Sequence, residues 1–502
     1  MPLPTSPSTL RAIDISPAAL RSASASQLAA WIRARRVTSR VVVDAHLDEV
    51  ARVNPELNAV VVSRFEEARR EADAADERLA REGVADLPPL HGFPCTIKEC
   101  FALTGMPQTS GLPARVGFRP DHDATAVARL RAAGAIPMGV TNVSELCMWM
   151  ESFNKVYGRT HNPYDLRRIV GGSSGGEGAI VGAGASPFGL GSDVGGSIRM
   201  PAFFNGVFGH KCSAGLISNA GQFPTGDGDA GAYLSTGPIA RRAEDLPLLV
   251  RILAGADPLD PQSKDLPLGD AHAVDVSSLR VITIPDDGRT PVSRELRARQ
   301  AAAARHLREI GCRVEERRLP RLKNALEVWS SMLHDAQGTP FSTLLANGEE
   351  WRTLPELVRL ATGRSPHTLP AVVLAVLEGL TDLMPARTAK MVAEGHALRA
   401  ELDTLLTDDT VLLYPPYATT APRHDVPLMW PFLWVYTAVL NVMQLPVTQV
   451  PLGLDTKGLP LGLQVVAAHG RDHLTMSVAM ELERAFGGWV RPPRLEAVRS
   501  LR

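Results

Sequence analysis

Thirteen glycines lie between Val170 and Gly209, in a segment with only three charged side chains. Glycine costs conformational entropy on folding, and it is kept where the backbone takes left-handed angles or approaches a ligand closely. Two serine-containing runs, Gly171-Gly172-Ser173-Ser174-Gly175-Gly176 and Val194-Gly195-Gly196-Ser197, lie in this segment. We therefore expect a site at which the backbone comes close to a bound molecule.

A phosphate cradle at a helix N-terminus is one interpretation of these glycines. The segment lacks the G-K-[ST] ending of a P-loop, and the nearest downstream lysine is Lys211. A non-catalytic nucleotide-binding scaffold therefore stays only as an alternative. The 13 histidines show no ligand spacing, so we expect no metal and no cofactor. Ser173 and Ser197 also lack the flanking residues of a G-x-S-x-G nucleophile elbow.

The overall composition argues against several partners. The chain has 502 residues, with 53 basic and 54 acidic side chains and a net charge of −1. Nothing in this balance predicts nucleic acid or an anionic membrane as a partner. The five cysteines are odd in number and contain no C-x-x-C pair, which indicates reduced thiols and a cytoplasmic protein. The first 24 residues contain no apolar segment typical of a secretion signal.

The basic residues are strongly unequal, with 46 arginines and seven lysines. Arginine stays protonated in proteins, whereas burial can make lysine neutral. A nucleophilic serine needs a proton acceptor and backbone N–H groups aimed at the developing oxyanion. Gly195 and Gly196 bring the main chain close enough to supply such N–H groups. Lys98 follows the β-like run Phe93–Ile97, which places it at the buried end of a predicted strand and makes it a candidate base.

The pattern along the chain indicates an α/β protein. Residues 24–62 have helical periodicity, whereas from about residue 90 short apolar runs, such as 93–97 and 135–140, alternate with helical stretches such as 124–133. Such alternation is typical of βα units. Without a repeat or a long polar linker, we predict an N-terminal extension at 1–24 and one domain at 25–490. The domain has its core at about 90–280 and 406–490 and a mostly helical insertion at about 290–405.

Two apolar stretches require an explanation other than a membrane span. Residues 426–454 carry no charge, but prolines and amides interrupt them, so we predict a buried helix followed by a core strand. The aromatic side chains in this stretch are interpreted as core or pocket wall. They are Trp430, Phe432, Trp434 and Tyr436. The second stretch, Leu369–Leu383, is predicted to be a packed helix, and a substrate-channel wall or a membrane-facing lid is the alternative.

Three segments together resemble the defining segments of the amidase signature family of serine hydrolases. Within that family, residues 141–146 and 191–210 and Gly462-Leu463-Gln464 are most similar to the fatty-acid amide hydrolase 2 type. The resemblance extends from about residue 25 to about residue 485 and is weakest at 280–405. It implies a large mixed, twisted β-sheet covered by helices on both faces. The three segments are Pro94–Lys98, Gly171–Gly178 and Gly191–Arg199.

The resemblance implies a Ser–cis-Ser–Lys triad. In this triad Ser197 is the nucleophile, Ser173 is a bridging serine preceded by a cis peptide bond, and Lys98 is the base. Only a neutral amine accepts a proton, and burial favours the neutral form. We therefore expect Lys98 to be buried without a carboxylate partner, Glu99 to point away from it, and activity to rise with pH.

Further site residues follow from the same resemblance. The backbone of Val194, Gly195, Gly196 and Ser197 is expected to form the oxyanion hole. Ser174, Asp193 and Arg199 are expected to orient the triad through hydrogen bonds, or equally to fix the loops. Cys147 matches a position that lines the site near the nucleophile, so we assign it to substrate binding. Cys212 stands where the family usually has proline.

The activity implied is hydrolysis of a hydrophobic amide, such as a fatty-acid amide or an aryl acylamide, or of a related ester or carbamate (urethane). The reaction passes through an acyl-enzyme on Ser197, and the partner is a small-molecule substrate. A transamidating amidase subunit of an amidotransferase complex is the alternative within enzymes. Homodimers are common in the family, so a homodimer is one alternative, and the sequence does not settle the oligomeric state. Peripheral contact with a membrane stays open.

Overall fold

The computed structural model describes residues 15–381 and 384–497. Its strands are short segments rich in β-branched and small residues, and eleven of them form one sheet. The strands are β1 (Val60–Ser63), β2 (Phe93–Lys98), β3 (Ala135–Thr141), β4 (Phe153–Asn154), β5 (Gly158–Arg159), β6 (Phe188–Asp193), β7 (Phe208–Lys211), β8 (Ser235–Ala240), β9 (Arg280–Thr283), β10 (Arg313–Glu316), β11 (Thr410–Tyr414), β12 (Val447–Leu454) and β13 (Pro460–Ala467).

The strand order in the main sheet is β1-β3-β2-β6-β8-β7-β12-β13-β11-β9-β10. β2 pairs in parallel with β3 and β6, whereas β6 pairs antiparallel with β8. The predicted mixed sheet is therefore confirmed. Because β2 and β6 run side by side in parallel, the residues at their C-terminal ends meet at one edge of the sheet.

Helices cover both faces of this sheet. Alternate residues of β11 face opposite sides, so that Val411 and Leu413 lie in one apolar core while Leu412 and Tyr414 lie in another. The helices are α1 (Pro17–Ser22), α2 (Ala25–Arg33), α3 (Ser39–Leu57), α4 (Phe65–Glu82), α5 (Thr125–Ala132), α6 (Gly175–Gly182), α7 (Arg199–Phe204), α8 (Asp245–Leu253), α9 (Arg294–Glu309), α10 (Ala325–Asp335), α11 (Phe341–Leu345), α12 (Thr353–Ala361), α13 (Leu369–Thr381), α14 (Pro385–Leu405), α15 (Val426–Met429), α16 (Val435–Val442), α17 (Asp472–Phe486) and α18 (Pro493–Ala497).

The predicted insertion at 290–405 contains helices α9 to α14, and β10 within it joins the edge of the main sheet. In α13, Val372 is buried, whereas Leu369 and Leu377 are exposed. One side of this helix therefore packs and the other faces solvent. Leu383, the predicted end of the apolar stretch, lies outside the described residues, as do residues 1–14 of the predicted N-terminal extension.

The charge-free stretch 426–454 forms two helices and then a core strand, because the chain leaves the helical conformation between α15 and α16. Trp430 and Phe432, in that connection, are 63% and 59% exposed. A place in the core is therefore wrong for these two side chains. Trp434 and Tyr436, by contrast, pack into the apolar core. Among the described helices, none has the length and apolar character needed to cross a membrane.

Candidate active site

Lys98 ends β2 and is completely buried. Its Nζ donates to Ser173 Oγ at 2.8 Å and to Ser192 Oγ at 2.9 Å, and it lies 3.4 Å from the Ser192 carbonyl oxygen. Ser192 belongs to β6, so the parallel pairing of β2 and β6 brings the two residues together. No carboxylate forms an ion pair with Lys98 within the described part of the chain.

Glu99 follows Lys98 and is also buried, but its carboxylate points elsewhere. It accepts hydrogen bonds from Thr109, Ser110 and the Tyr157 hydroxyl. Burial raises the pKa of Glu99 to about 7, although these donors act in the opposite direction. The amine of Lys98 therefore has hydroxyl and carbonyl partners, in agreement with the expectation drawn from strand alternation.

Ser173 follows a cis peptide bond after Gly172. The backbone at Gly172 is crowded, because a Cβ there would lie 2.2 Å from the Trp149 carbonyl oxygen. The Ser173 carbonyl accepts from Ser152 Oγ at 3.2 Å, and the same hydroxyl accepts from the Gly175 N–H at 2.9 Å. Sequence reasoning missed Ser152, which fixes the loop that carries Ser173.

Ser197 lies in the loop between β6 and α7 and is buried. The Ser174 N–H donates to the Ser197 carbonyl at 3.2 Å, so the two serine loops are joined through backbone. Among the described residues, the hydroxyls of Ser173 and Ser197 do not hydrogen-bond to each other. Catalytic hydrogen bonds often tighten only when substrate binds, so this arrangement is compatible with a relay that closes on the substrate.

The loop ahead of Ser197 is held by the Asp193 carboxylate. Asp193 Oδ1 accepts from the Gly196 N–H at 2.6 Å, and Oδ2 accepts from the Ile198 N–H at 3.0 Å. Gly196 has a φ of +120°, an angle that glycine tolerates without strain. Of the four predicted oxyanion donors, Gly196 is thus already engaged by a carboxylate. The oxyanion hole stays a prediction, and Val194, Gly195 and Ser197 are the donors on which it depends most.

Asp193 and Arg199 form an ion pair in which both side chains are fully buried. Arg199 Nη2 lies 2.9 Å from Asp193 Oδ1, and Nε lies 3.0 Å from Oδ2. Burial alone would raise the pKa of Asp193, but Arg199 holds it well below its usual range. Arg199 also donates to the side chains of Gln464 and Asn441. The buried charge is therefore paired and hydrogen-bonded, as such charges need to be.

Cys147 is half-buried and has a left-handed backbone angle, with φ of 59°. The neighbouring Cys100 thiol and the charge of Lys98 lower the pKa of the Cys147 thiol, although burial acts in the opposite direction. Cys147 therefore lies close enough to Lys98 for the charge of the amine to act on its thiol. Cys147 is the last residue of a short helical turn at Glu145–Cys147.

A group of three potential metal ligands, His210, Cys212 and Asp472, lies elsewhere in the core, with ligand atoms within 4.8 Å of one another. His210 Nε2 lies 3.1 Å from Asp472 Oδ1. The same carboxylate accepts from the Ser213 N–H at 2.8 Å and from the Ser213 hydroxyl. These donors already occupy the Asp472 oxygens, so the group joins β7 to α17 through hydrogen bonds.

Comparison with known proteins places these features in context. The model of the family described as Amidase matches residues 41–476. The chain is 46% identical over 504 residues to fatty-acid amide hydrolase 2-B of Danio rerio, covering 97% of this chain and 94% of that protein. It is also 46% identical over 482 residues to fatty-acid amide hydrolase 2 of Homo sapiens, covering 93% and 89%.

Solved structures show the same architecture. The structure of 6-aminohexanoate cyclic dimer hydrolase complexed with substrate superimposes with a TM-score of 0.80 at 27% identity, covering 95% of this chain and 99% of that one. The fold predicted from the three sequence segments is therefore confirmed.

Proposed function

The chain belongs to the amidase family, enzymes that act on amide C–N bonds, and from this premise we propose that it hydrolyses hydrophobic amides by a Ser197–Ser173–Lys98 mechanism. The observation that carries the proposal is the hydrogen bond of 2.8 Å between the buried Lys98 amine and the Ser173 hydroxyl. A buried amine whose hydrogen-bond partners are the hydroxyls of Ser173 and Ser192 and the Ser192 carbonyl is suited to accept a proton. Ser197 lies in the adjoining loop, where a relay through Ser173 would reach it.

In the proposed reaction, neutral Lys98 takes a proton from Ser173, which takes one from Ser197. The Ser197 oxygen forms a bond to the substrate carbonyl carbon, and the carbonyl π electrons move onto oxygen. When the tetrahedral intermediate collapses, the C–N bond breaks and the proton returns through the relay to the departing amine. A water molecule then attacks the acyl-enzyme, with the same relay accepting its proton, and releases the acid and Ser197.

The backbone donors that we assign to the oxyanion are the N–H groups of Val194, Gly195 and Ser197. Preorganised N–H groups of this kind stabilise charge that develops in the transition state, and the loss of one such donor typically costs about 10²–10³ in kcat. The rigid loop described above supports this assignment, because Asp193 and Arg199 fix the backbone before the substrate arrives.

Two observations support a hydrophobic acyl group as substrate. The Trp329 and Trp434 rings pack beside Gly195, at 3.4 Å and 3.1 Å from the position that a Cβ on Gly195 would take. The relatives with 46% identity are fatty-acid amide hydrolases. We therefore propose fatty-acid amides and aryl acylamides as the main substrates, with esters and carbamates of similar shape as further substrates of the same serine.

The test is a chromogenic panel of anilides, esters and carbamates with short and long acyl groups, run on wild type and on Ser197→Ala. We expect turnover that increases with acyl length, loss of at least about 10³-fold in Ser197→Ala, and stoichiometric fluorophosphonate labelling of wild type at Ser197. Turnover that survives in Ser197→Ala, or labelling at another residue, would contradict the proposal.

A further inference from the structure

Three consecutive carbonyl groups in the loop before Ser197 each accept a hydrogen bond from a side chain that is distant in sequence. Asn441 Nδ2 donates to the Asp193 carbonyl at 2.8 Å. Trp329 Nε1 donates to the Val194 carbonyl at 2.9 Å. Thr437 Oγ1 donates to the Gly195 carbonyl at 2.8 Å. The loop is therefore held on its carbonyl side by residues from two helices, α10 and α16.

Each of these bonds also fixes an N–H group, because a carbonyl and the following N–H belong to one planar peptide unit and point in opposite directions. The Val194 carbonyl shares its plane with the Gly195 N–H. The Gly195 carbonyl shares its plane with the Gly196 N–H, which Asp193 already accepts. The Asp193 carbonyl shares its plane with the Val194 N–H, which Asn441 therefore fixes in the same way. Between the Gly195 and Gly196 N–H groups, the Gly195 N–H, which Trp329 controls, is the one that stays available as a proposed oxyanion donor.

The Trp329 indole is held tightly in its position. Its ring meets the Trp434 ring edge to face, with centroids 4.8 Å apart and an interplanar angle of 88°. A Cβ on Gly195 would lie 3.4 Å from Trp329 Cζ2, so the ring packs directly against the loop. Trp329 belongs to α10, within the predicted insertion, and α10 packs against α14 and α16. A change in the position of α10 would consequently move the Val194–Gly195 peptide.

We propose that Trp329 is a positioning residue for the oxyanion hole: its indole N–H fixes the Val194–Gly195 peptide so that the Gly195 N–H points at the developing oxyanion. Accepting a hydrogen bond at the carbonyl also polarises the peptide and strengthens its N–H as a donor. The inference rests on the proposed function, since it needs a reaction with an oxyanion. It gives the predicted insertion at 290–405, which contains α10, a direct connection to the chemistry.

The experiment compares Trp329→Phe, which removes the N–H and retains an aromatic ring, with the matched control Trp434→Phe. We expect Trp329→Phe to lower kcat by about tenfold to hundredfold while KM changes less than about threefold, because the lost alignment acts in the transition state. Affinity for a trifluoromethyl ketone that adds to Ser197 should fall by the same factor as kcat/KM. Trp434→Phe should change KM more than kcat.

A kcat within twofold of wild type in Trp329→Phe, with a raised KM, would show that the indole is only a pocket wall. If Trp329→Phe does not reach the wild-type melting temperature, Trp329→His and Trp329→Leu replace it. A higher kcat in the histidine variant, which retains a ring N–H, supports the proposal, and equal kcat values overturn it. Activity that persists in Ser197→Ala would instead overturn the proposed function itself, so the two failures are distinguishable.

Discussion

Lys98 and Lys211 are both completely buried, and each is the last residue of a strand in the same sheet. Lys98 contacts the hydroxyls of Ser173 and Ser192. Lys211 donates to the Cys212 carbonyl at 3.0 Å and lies 3.4 Å from Ser235 Oγ. Their strands are separated in the sheet by β6 and β8. Two amines in similar surroundings therefore reach different acceptors.

The difference lies in what the acceptor can do next. Ser173 is a hydroxyl that can receive a proton from one side and pass one to the other, and it belongs to the loop joined to Ser197. The Cys212 carbonyl can accept a hydrogen bond but has no proton to pass on. The Ser235 hydroxyl near Lys211 itself donates to that carbonyl at 3.3 Å, and it belongs to β8 and not to the loops that carry Ser173 and Ser197. Burial lowers the pKa of Lys211 to about 8, and repulsion from Arg199 adds to this effect. A buried amine alone does not make a catalytic base, because a relay also requires a proton carrier that connects the amine to the nucleophile.

The largest expected effect is that of Lys98→Ala. Loss of the proposed base should reduce amide turnover by at least about 10³-fold, while the melting temperature stays at or above the wild-type value because a buried amine is removed. Steady-state kinetics and thermal unfolding check both halves of this prediction. Lys211→Met is the matched control and should keep activity within a few-fold of wild type. Equal losses of turnover in the two variants would remove the distinction between the lysines.

The next effect concerns the buried ion pair of Asp193 and Arg199. Asp193 ends β6, which lies between the strands of the two lysines in the sheet. Arg199→Met should lower the free energy of unfolding by about 3–5 kcal/mol, because it leaves the Asp193 carboxylate buried without its partner. The folded-state pKa of Asp193 is held below its unfolded value, so its contribution to stability is present above about pH 4 and is lost as acid protonates the folded form. Urea unfolding of wild type at pH 7 and pH 3 checks the sign. A variant as stable as wild type at pH 7 would contradict the prediction.

The smallest effect is the pH dependence caused by Lys211. Its folded pKa of about 8 lies below the usual lysine pKa of 10.5, so between these pH values the unfolded chain binds more protons and stability rises with pH. Below pH 8 the free energy of unfolding is lower than above pH 10.5 by a constant amount of up to about 3 kcal/mol. Lys211→Met should lack the rise between pH 8 and 10.5 that wild type shows in chemical unfolding. Parallel curves for the two proteins over this range would show that Lys211 does not carry the effect.

The parts of the site that sequence could predict are those encoded within short segments. Lys98 at the end of an apolar run and the serines among glycines have local signatures, because strand ends and close backbone approach impose residue types at adjacent positions. The supporting partners have no such signature. Thr437, Asn441 and Gln464 reach Arg199 or the loop from more than 230 positions away, and a polar residue on a buried helix looks the same whichever loop it contacts.

The exposed aromatic residues show a second limit. Hydropathy predicts that Trp430 and Phe432 are buried, yet they lie in the connection between α15 and α16. Whether an apolar side chain is covered depends on the direction in which its backbone segment leaves the core, and that direction is set by tertiary contacts. The mixed sheet, in contrast, is predicted correctly from the family resemblance. The alternation of strands and helices that supports this prediction recurs in many successive segments, so an error in one segment does not change the result.

The edge-to-face pair of Trp329 and Trp434 also provides an intrinsic fluorescence signal close to the proposed site. Indole emission responds to the polarity around the ring, so an acyl chain that displaces water beside these rings should alter their fluorescence without any added label. The chain has seven tryptophans, and the Trp434→Phe variant isolates the signal of this pair by difference. In Ser197→Ala the same signal would time substrate entry separately from bond cleavage.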